Sequence, residues 1–76
     1  LPGFDIYPNP VSEFLQIKPA APFLNYTVYL FDMCGNNKFQ GINAGSIDVS
    51  CLASGNYILI LASDDKKEKR IISIVR

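Results

Sequence analysis

Short apolar stretches alternate with polar punctuation along the whole chain. Leu15 and Ile17 lie two apart, as do Val28 and Leu30, Ile47 and Val49, and Tyr57, Leu59 and Leu61. Successive side chains of a strand point to opposite faces, so this spacing places each group on one face of a half-buried strand. The breaks fall at Pro8-Asn9-Pro10, Pro19 to Pro22, Gly35-Asn36-Asn37, Asn43 to Gly45, Ser54-Gly55-Asn56 and Ser63-Asp64-Asp65. Between them seven strands are predicted, at Phe4 to Tyr7, Glu13 to Lys18, Tyr26 to Asp32, Asn37 to Gly41, Ser46 to Ser50, Asn56 to Ala62 and Lys69 to Val75. Short strands with turn signals at such intervals predict an all-β sandwich or barrel.

Only the last stretch competes as a helix, because Asp64 would cap one and Ile71, Ile72 and Val75 fall at helical spacing. Its apolar face would begin only in the final residues, most of them β-branched, and Asp64 with Glu68 and Lys66 with Arg70 are like-charge pairs at i, i+4. A hairpin of the sixth and seventh strands turning at Ser63 to Lys67 accounts for the same residues with less conflict. Composition agrees: of 37 hydrophobic residues, 22 are Ile, Val, Phe or Tyr, the types that suit a pleated, half-buried surface.

The length, 76 residues, predicts one small domain in which the core leaves little volume for a deep catalytic cleft. The absence of histidine removes Ser-His and Cys-His nucleophilic pairs, histidine metal sites and the usual neutral-pH proton shuttle. Seven basic and seven acidic residues give no overall field that would gather nucleic acid or an anionic membrane. The longest apolar run, Tyr57 to Ala62, is far too short for a transmembrane segment. No cofactor or metal is expected, nor a nucleic-acid partner. The opening Leu1-Pro2-Gly3-Phe4 lacks an initiator methionine and the regions of a signal peptide, which suggests a piece excised from a longer protein.

Four features carry more than pattern. Pro8 and Pro10 lack a backbone N–H and hold Tyr7 and Asn9 extended, so this stretch belongs at a sheet edge or at a crossover between sheets. Asp32-Met33-Cys34-Gly35-Asn36 predicts a hairpin turn in which Gly35 supplies a positive φ and Asp32 accepts hydrogen bonds from turn amides. A calcium loop is the sharper alternative, but the run lacks alternating oxygen ligands and a distal glutamate. Leu52-Ala53-Ser54-Gly55-Asn56-Tyr57 resembles a tyrosine corner, in which the phenol packs inside while its hydroxyl caps backbone upstream, joining the two sheets of a Greek-key sandwich.

Cys34 and Cys51 without histidine make a poor metal site. With the third, fourth and fifth strands running up, down and up, both cysteines fall at one end of the domain. A disulfide between them would then add about 3 kcal/mol, provided the Cα atoms come within roughly 7 Å; two reduced thiols are the other reading. Lysines and arginines gather at the end, where residues 64–76 hold five bases against three acids and residues 1–63 two against four, leaving a +2 tail on a −2 body. Lysine on an edge strand also deters edge-to-edge pairing, which needs no partner to explain it.

The order of motifs is more specific than any one of them. Ile6-Tyr7-Pro8-Asn9-Pro10-Val11-Ser12, Leu15-Gln16-Ile17, Val28-Tyr29-Leu30-Phe31-Asp32 leading to Gly35, Ile47-Asp48-Val49-Ser50, Leu52 to Tyr57 and a lysine-rich apolar end follow one another over nearly the whole chain. This series resembles the type A C-terminal sorting domain of the type IX (Por) secretion system of Bacteroidetes. The resemblance implies an Ig-like Greek-key β-sandwich of about seven short strands at the end of a secreted cargo protein. It implies no catalysis. The domain would be engaged after export to the periplasm by an outer-membrane component of the translocon, and a sortase-like peptidase would commonly remove it, leaving the cargo at the cell surface or released. By the same resemblance Tyr7, Pro8, Asn9, Pro10, Asp32, Gly35, Leu52, Gly55 and Tyr57 preserve the shape. The last strand, with Lys69, Arg70, Ile72, Ile74 and Arg76, is the expected recognition surface. Cys34 and Cys51 stand where the family more often has polar residues.

Two other functions compete. An Ig-like accessory module of a secreted enzyme or adhesin would bind carbohydrate or space domains, with Tyr29, Phe31 and Phe39 as the aromatic platform if they face solvent. A hydrolase is weaker, because Asp5, Glu13, Asp32 and Asp48 fall largely at strand ends and turns with no spacing that pairs them.

Overall fold

A computed structural model describes residues 4–19, 25–63 and 67–75. Its strands are β1 (Phe4–Tyr7), β2 (Phe14–Pro19), β3 (Thr27–Asp32), β4 (Asn37–Ile42), β5 (Ser46–Asp48), β6 (Gly55–Ala62) and β7 (Lys67–Ile74). They form two antiparallel sheets, one in the order β1-β2-β5 and the other β4-β3-β6-β7. After the β3–β4 hairpin the chain crosses to the first sheet as β5, then returns as β6 beside β3. That return is a Greek-key step, and the two-sheet sandwich expected from the sequence is the observed fold.

Alternation decides what fills the space between the sheets. Leu15 and Ile17 of β2 and Ile47 of β5 point inward from one sheet; Val28 and Leu30 of β3, Leu59 and Leu61 of β6 and Ile72 and Ile74 of β7 point inward from the other. Cross-strand register keeps these rows aligned, with Leu30 opposite Leu59 and Val28 opposite Leu61. No buried polar or charged residue interrupts the core among the described residues.

Several boundaries move for identifiable reasons. The fifth strand stops at Asp48, short of the expected Ser50, because the Asp48 carboxylate accepts hydrogen bonds from the Ser50 amide (2.9 Å) and hydroxyl (2.6 Å) and turns the chain. Val49 remains fully buried and donates its amide to the Glu13 carbonyl at 2.7 Å. Tyr26 lies just outside β3, where its amide donates to Asn43 Oδ1 and its hydroxyl to the Ala44 carbonyl, both at 2.9 Å. The helical alternative for the last stretch gives way to β7, whose pairing with β6 begins at Lys67 opposite Ala62. The tip of that hairpin, residues 64–66, lies outside the described residues, as does Arg76.

Candidate functional site

The terminal strand β7 is an edge: β6 pairs along one side of it over all eight residues. Its outward positions, by alternation, are Lys67, Lys69, Ile71 and Ser73, and its inward ones Glu68, Arg70, Ile72 and Ile74. Lys69 is exposed and faces away from the core. Arg70 is half-buried; its guanidinium sits 4.7 Å from the centre of the Phe4 ring and 3.1 Å from Glu68 Oε1. Ile72 and Ile74 are buried core residues, so as contact residues the expectation for them is corrected. Each stands opposite a β6 residue, Tyr57 for Ile72 and Gly55 for Ile74, and this pleat turns both side chains into the sandwich.

The other side of β7 is partly covered by the Pro8–Val11 stretch. Asn9 uses both ends of its side-chain amide: Oδ1 accepts from the Ser73 amide at 3.0 Å and Nδ2 donates to the Ile71 carbonyl at 3.3 Å. Val11 continues the contact, donating to the Ser73 carbonyl and accepting from the Val75 amide, both at 2.9 Å. Val11 thus forms a parallel bridge to Ile74 and is itself buried. The peptide bonds Tyr7–Pro8 and Asn9–Pro10 are both cis. The chain leaves the first sheet at β1, touches the edge of the second and comes back as β2, so of the two readings of the prolines, sheet edge or crossover, the edge is the one observed. Tyr7 and the exposed prolines flank this strap without entering the core.

Two further motifs have the expected local geometry. In the β3–β4 turn, Gly35 has φ +92° and donates to the Asp32 carbonyl at 3.1 Å. Asp32 Oδ1 accepts from the amides of Cys34 (2.9 Å) and Asn36 (2.8 Å), and Oδ2 from the Asn36 side chain (3.0 Å). These bonds, the Asn36 side chain's first, hold the Asp32 carboxyl below the usual carboxylate range, with a smaller contribution from Lys38 at 4.0 Å. At the β5–β6 connection Tyr57 is buried and its hydroxyl donates to the Ala53 carbonyl at 2.8 Å. Leu52 packs half-buried against the core, and Gly55 takes a φ of +151°, a region that strains other residues. This is a tyrosine corner, and it carries the chain from one sheet to the other.

The competing sites are dispersed. Tyr29 and Phe31 stack on the outer face of the larger sheet with ring centres 6.1 Å apart. Phe39 does not join them: it stands opposite Leu30 and packs against the core, so the three-ring platform is corrected to two. Cys34 and Cys51 are both exposed free thiols, and no bridge joins them. Among the described residues no three acidic or sulfur side chains gather as a metal cluster. A hollow of about 260 Å³ is lined by Asn25, Tyr26, Thr27, Ile42, Ala62 and Ser63, and burial raises the pKa of the Tyr26 phenol.

Residues 5–75 match the profile of a family described as the secretion system C-terminal sorting domain. The chain belongs to this family. None of the curated proteins matches it. A sorting domain of this kind is the C-terminal signal for type IX secretion, which carries an attached N-terminal cargo across the outer membrane to the cell surface or the extracellular space. The signal domain itself is not catalytic, and the accessory-module reading is not favoured. No helix among the described residues is long and apolar enough to cross a membrane.

Sequence reasoning missed two things in this sorting domain. It did not find the partner of Asn9, which lies at the far end of the chain, and it did not separate the inward from the outward residues of β7. The alternation Lys67, Lys69, Ile71 against Glu68, Arg70, Ile72 was visible, but nothing in it says which set faces the core when both contain charge.

Proposed function

We propose that the sorting signal is read on β7, by an outer-membrane component of the type IX translocon that contacts the strand's exposed edge together with Lys69, Arg70 and Arg76. The observation that carries this reading is the position of β7: the terminal strand lies at a sheet edge, where backbone and lysine are both accessible. Ile72 and Ile74 serve by anchoring the strand in the core, and Arg70 by its place over Phe4. Residues 1–76 act as a single module behind the cargo, which a sortase-like peptidase then removes.

Fusing residues 1–76 to a fluorescent periplasmic reporter in a type IX-competent host tests the module. Extracellular fluorescence is expected, and a reporter retained in the periplasm overturns the reading. Lys69→Glu, a surface change that leaves the core intact, should reduce export while the purified domain keeps its thermal unfolding midpoint. Undiminished export by that variant would remove Lys69 from the recognition surface.

A further inference from the structure

The edge of β7 is divided. Its outward-pointing backbone groups belong to Lys67, Lys69, Ile71, Ser73 and Val75, the alternate residues whose amides and carbonyls do not point at β6. Asn9 and Val11 occupy the Ile71 carbonyl, the Ser73 amide and carbonyl and the Val75 amide. The Lys69 carbonyl is covered by the strand's own Arg70 guanidinium at 3.1 Å. The amides of Lys69 and Ile71 and the carbonyl of Lys67 are left facing outward in a stretch that begins where the strap ends.

Charge tells what fits there. An added strand places its side chains directly beside the outward row of β7, with cross-strand neighbours about 5 Å apart, where opposite charges stabilise and like charges destabilise. That row is Lys67 and Lys69, followed by Ile71; on the inner face Glu68 and Arg70 are already paired with each other. A second copy of this chain would set lysine beside lysine. A segment with acidic residues at alternate positions would instead meet two lysines whose own strand offers them no carboxylate on that face.

We propose that Lys67–Ile71 takes an extended, acid-bearing segment of a partner protein as an added strand, and that the Asn9–Val11 strap is the stop that fixes how far this strand runs. The proposal rests on the reading of β7 as the recognised edge and adds its register and the partner's chemistry.

A nuclear magnetic resonance titration of the isolated domain with a short synthetic peptide alternating Glu and Val tests it. Saturable shifts and slowed amide exchange are expected at Lys69 and Ile71, weakening as salt rises. A peptide alternating Lys and Val should bind several-fold more weakly. Lys69→Pro deletes one outward amide at an edge position where proline is tolerated and should abolish the footprint. The double change Lys67→Glu with Lys69→Glu keeps every backbone group and should reverse the peptide preference. Asn9→Ala should extend the footprint towards Ser73. A wild-type footprint centred on Ser73 and Val75, an equal response to both peptides, no saturable response, or an unchanged response in Lys69→Pro would each overturn the proposal.

The reporter assay separates this from the sorting reading itself. Export of the wild type together with equal export of Lys69→Pro refutes strand addition and leaves sorting intact. A wild-type reporter that is not exported refutes the sorting reading, while the peptide footprint is judged on its own.

Discussion

Two stretches of this chain reach from the first sheet to the second and are closed in opposite ways: the corner before β6 passes over to the second sheet, and the strap between β1 and β2 touches its edge and returns. The corner before β6 is closed locally: the Tyr57 hydroxyl reaches the Ala53 carbonyl four residues back, and the phenol that makes the bond also fills the core. The strap between β1 and β2 is closed at long range, since Asn9 bonds to Ile71 and Ser73, 62 and 64 residues away. A local closure needs little loop entropy beyond the turn itself and is coupled to burial of a large ring. The strap depends on β7 already being in place, and its bonds lie at the exposed surface, so it contributes less to global stability and more to the state of one edge.

The largest effect that would test this contrast is at Tyr57. Tyr57→Ala should cost about 3–5 kcal/mol through loss of the buried ring, whereas Tyr57→Phe keeps the ring and should cost about 1 kcal/mol for the hydrogen bond, both read from denaturant midpoints. A comparable loss in the two variants would mean that the hydroxyl, not the packing, holds the corner.

Next in size is Gly35→Ala, which forces a β-carbon into φ +92° and should cost about 1–2 kcal/mol although the added atom meets nothing nearby. Because the turn is a second locally closed connection, its loss should speed amide exchange at Cys34 and Asn36 and leave Ser73 protected.

Asn9→Ala should cost only about 1 kcal/mol or less, since its bonds are exposed. Its effect should instead be distant in sequence, with faster exchange at the Ser73 amide. If exchange rises only near residue 9, the strap does not hold β7 and the two connections are alike.

The smallest effect is a pH dependence at the β3–β4 turn. The Asp32 carboxyl is held below its ordinary range in the folded state, so the stability it contributes is fully present above the unfolded value and is lost as pH falls through the folded value. Acidification from about pH 4 downward should therefore loosen the turn. Asp32→Asn should flatten that dependence in amide exchange at Cys34 and Asn36.

The locally closed features are legible in the sequence itself. Turn residues bounding short apolar stretches marked seven strands, four of them with two-residue spacing, Asp32 and Gly35 identified a turn with a positive φ, and Leu52 to Tyr57 identified the corner. In each case the atoms that decide the structure sit within a few residues of one another, so sequence distance and spatial distance coincide. The order of those motifs was also enough to point to the secretion family. What alternation could not say was which face of β7 is buried. Glu68 and Arg70 face inward because Phe4 of the opposite sheet lies beneath Arg70 and because Ile72 and Ile74 further along commit the pleat. Phe39, a platform candidate only if it faced solvent, turns inward for the same kind of reason, its register opposite Leu30 being set by the β3–β4 hairpin.

The division of the β7 edge belongs wholly to the tertiary structure. The sequence determined a β-sandwich, its turns and its family, because hydrophobic period, proline and glycine act through the local backbone. Only folding brought Asn9 to Ser73 and left Lys69 open, because hydrogen bonds between the two ends of a chain depend on where every strand between them has been placed.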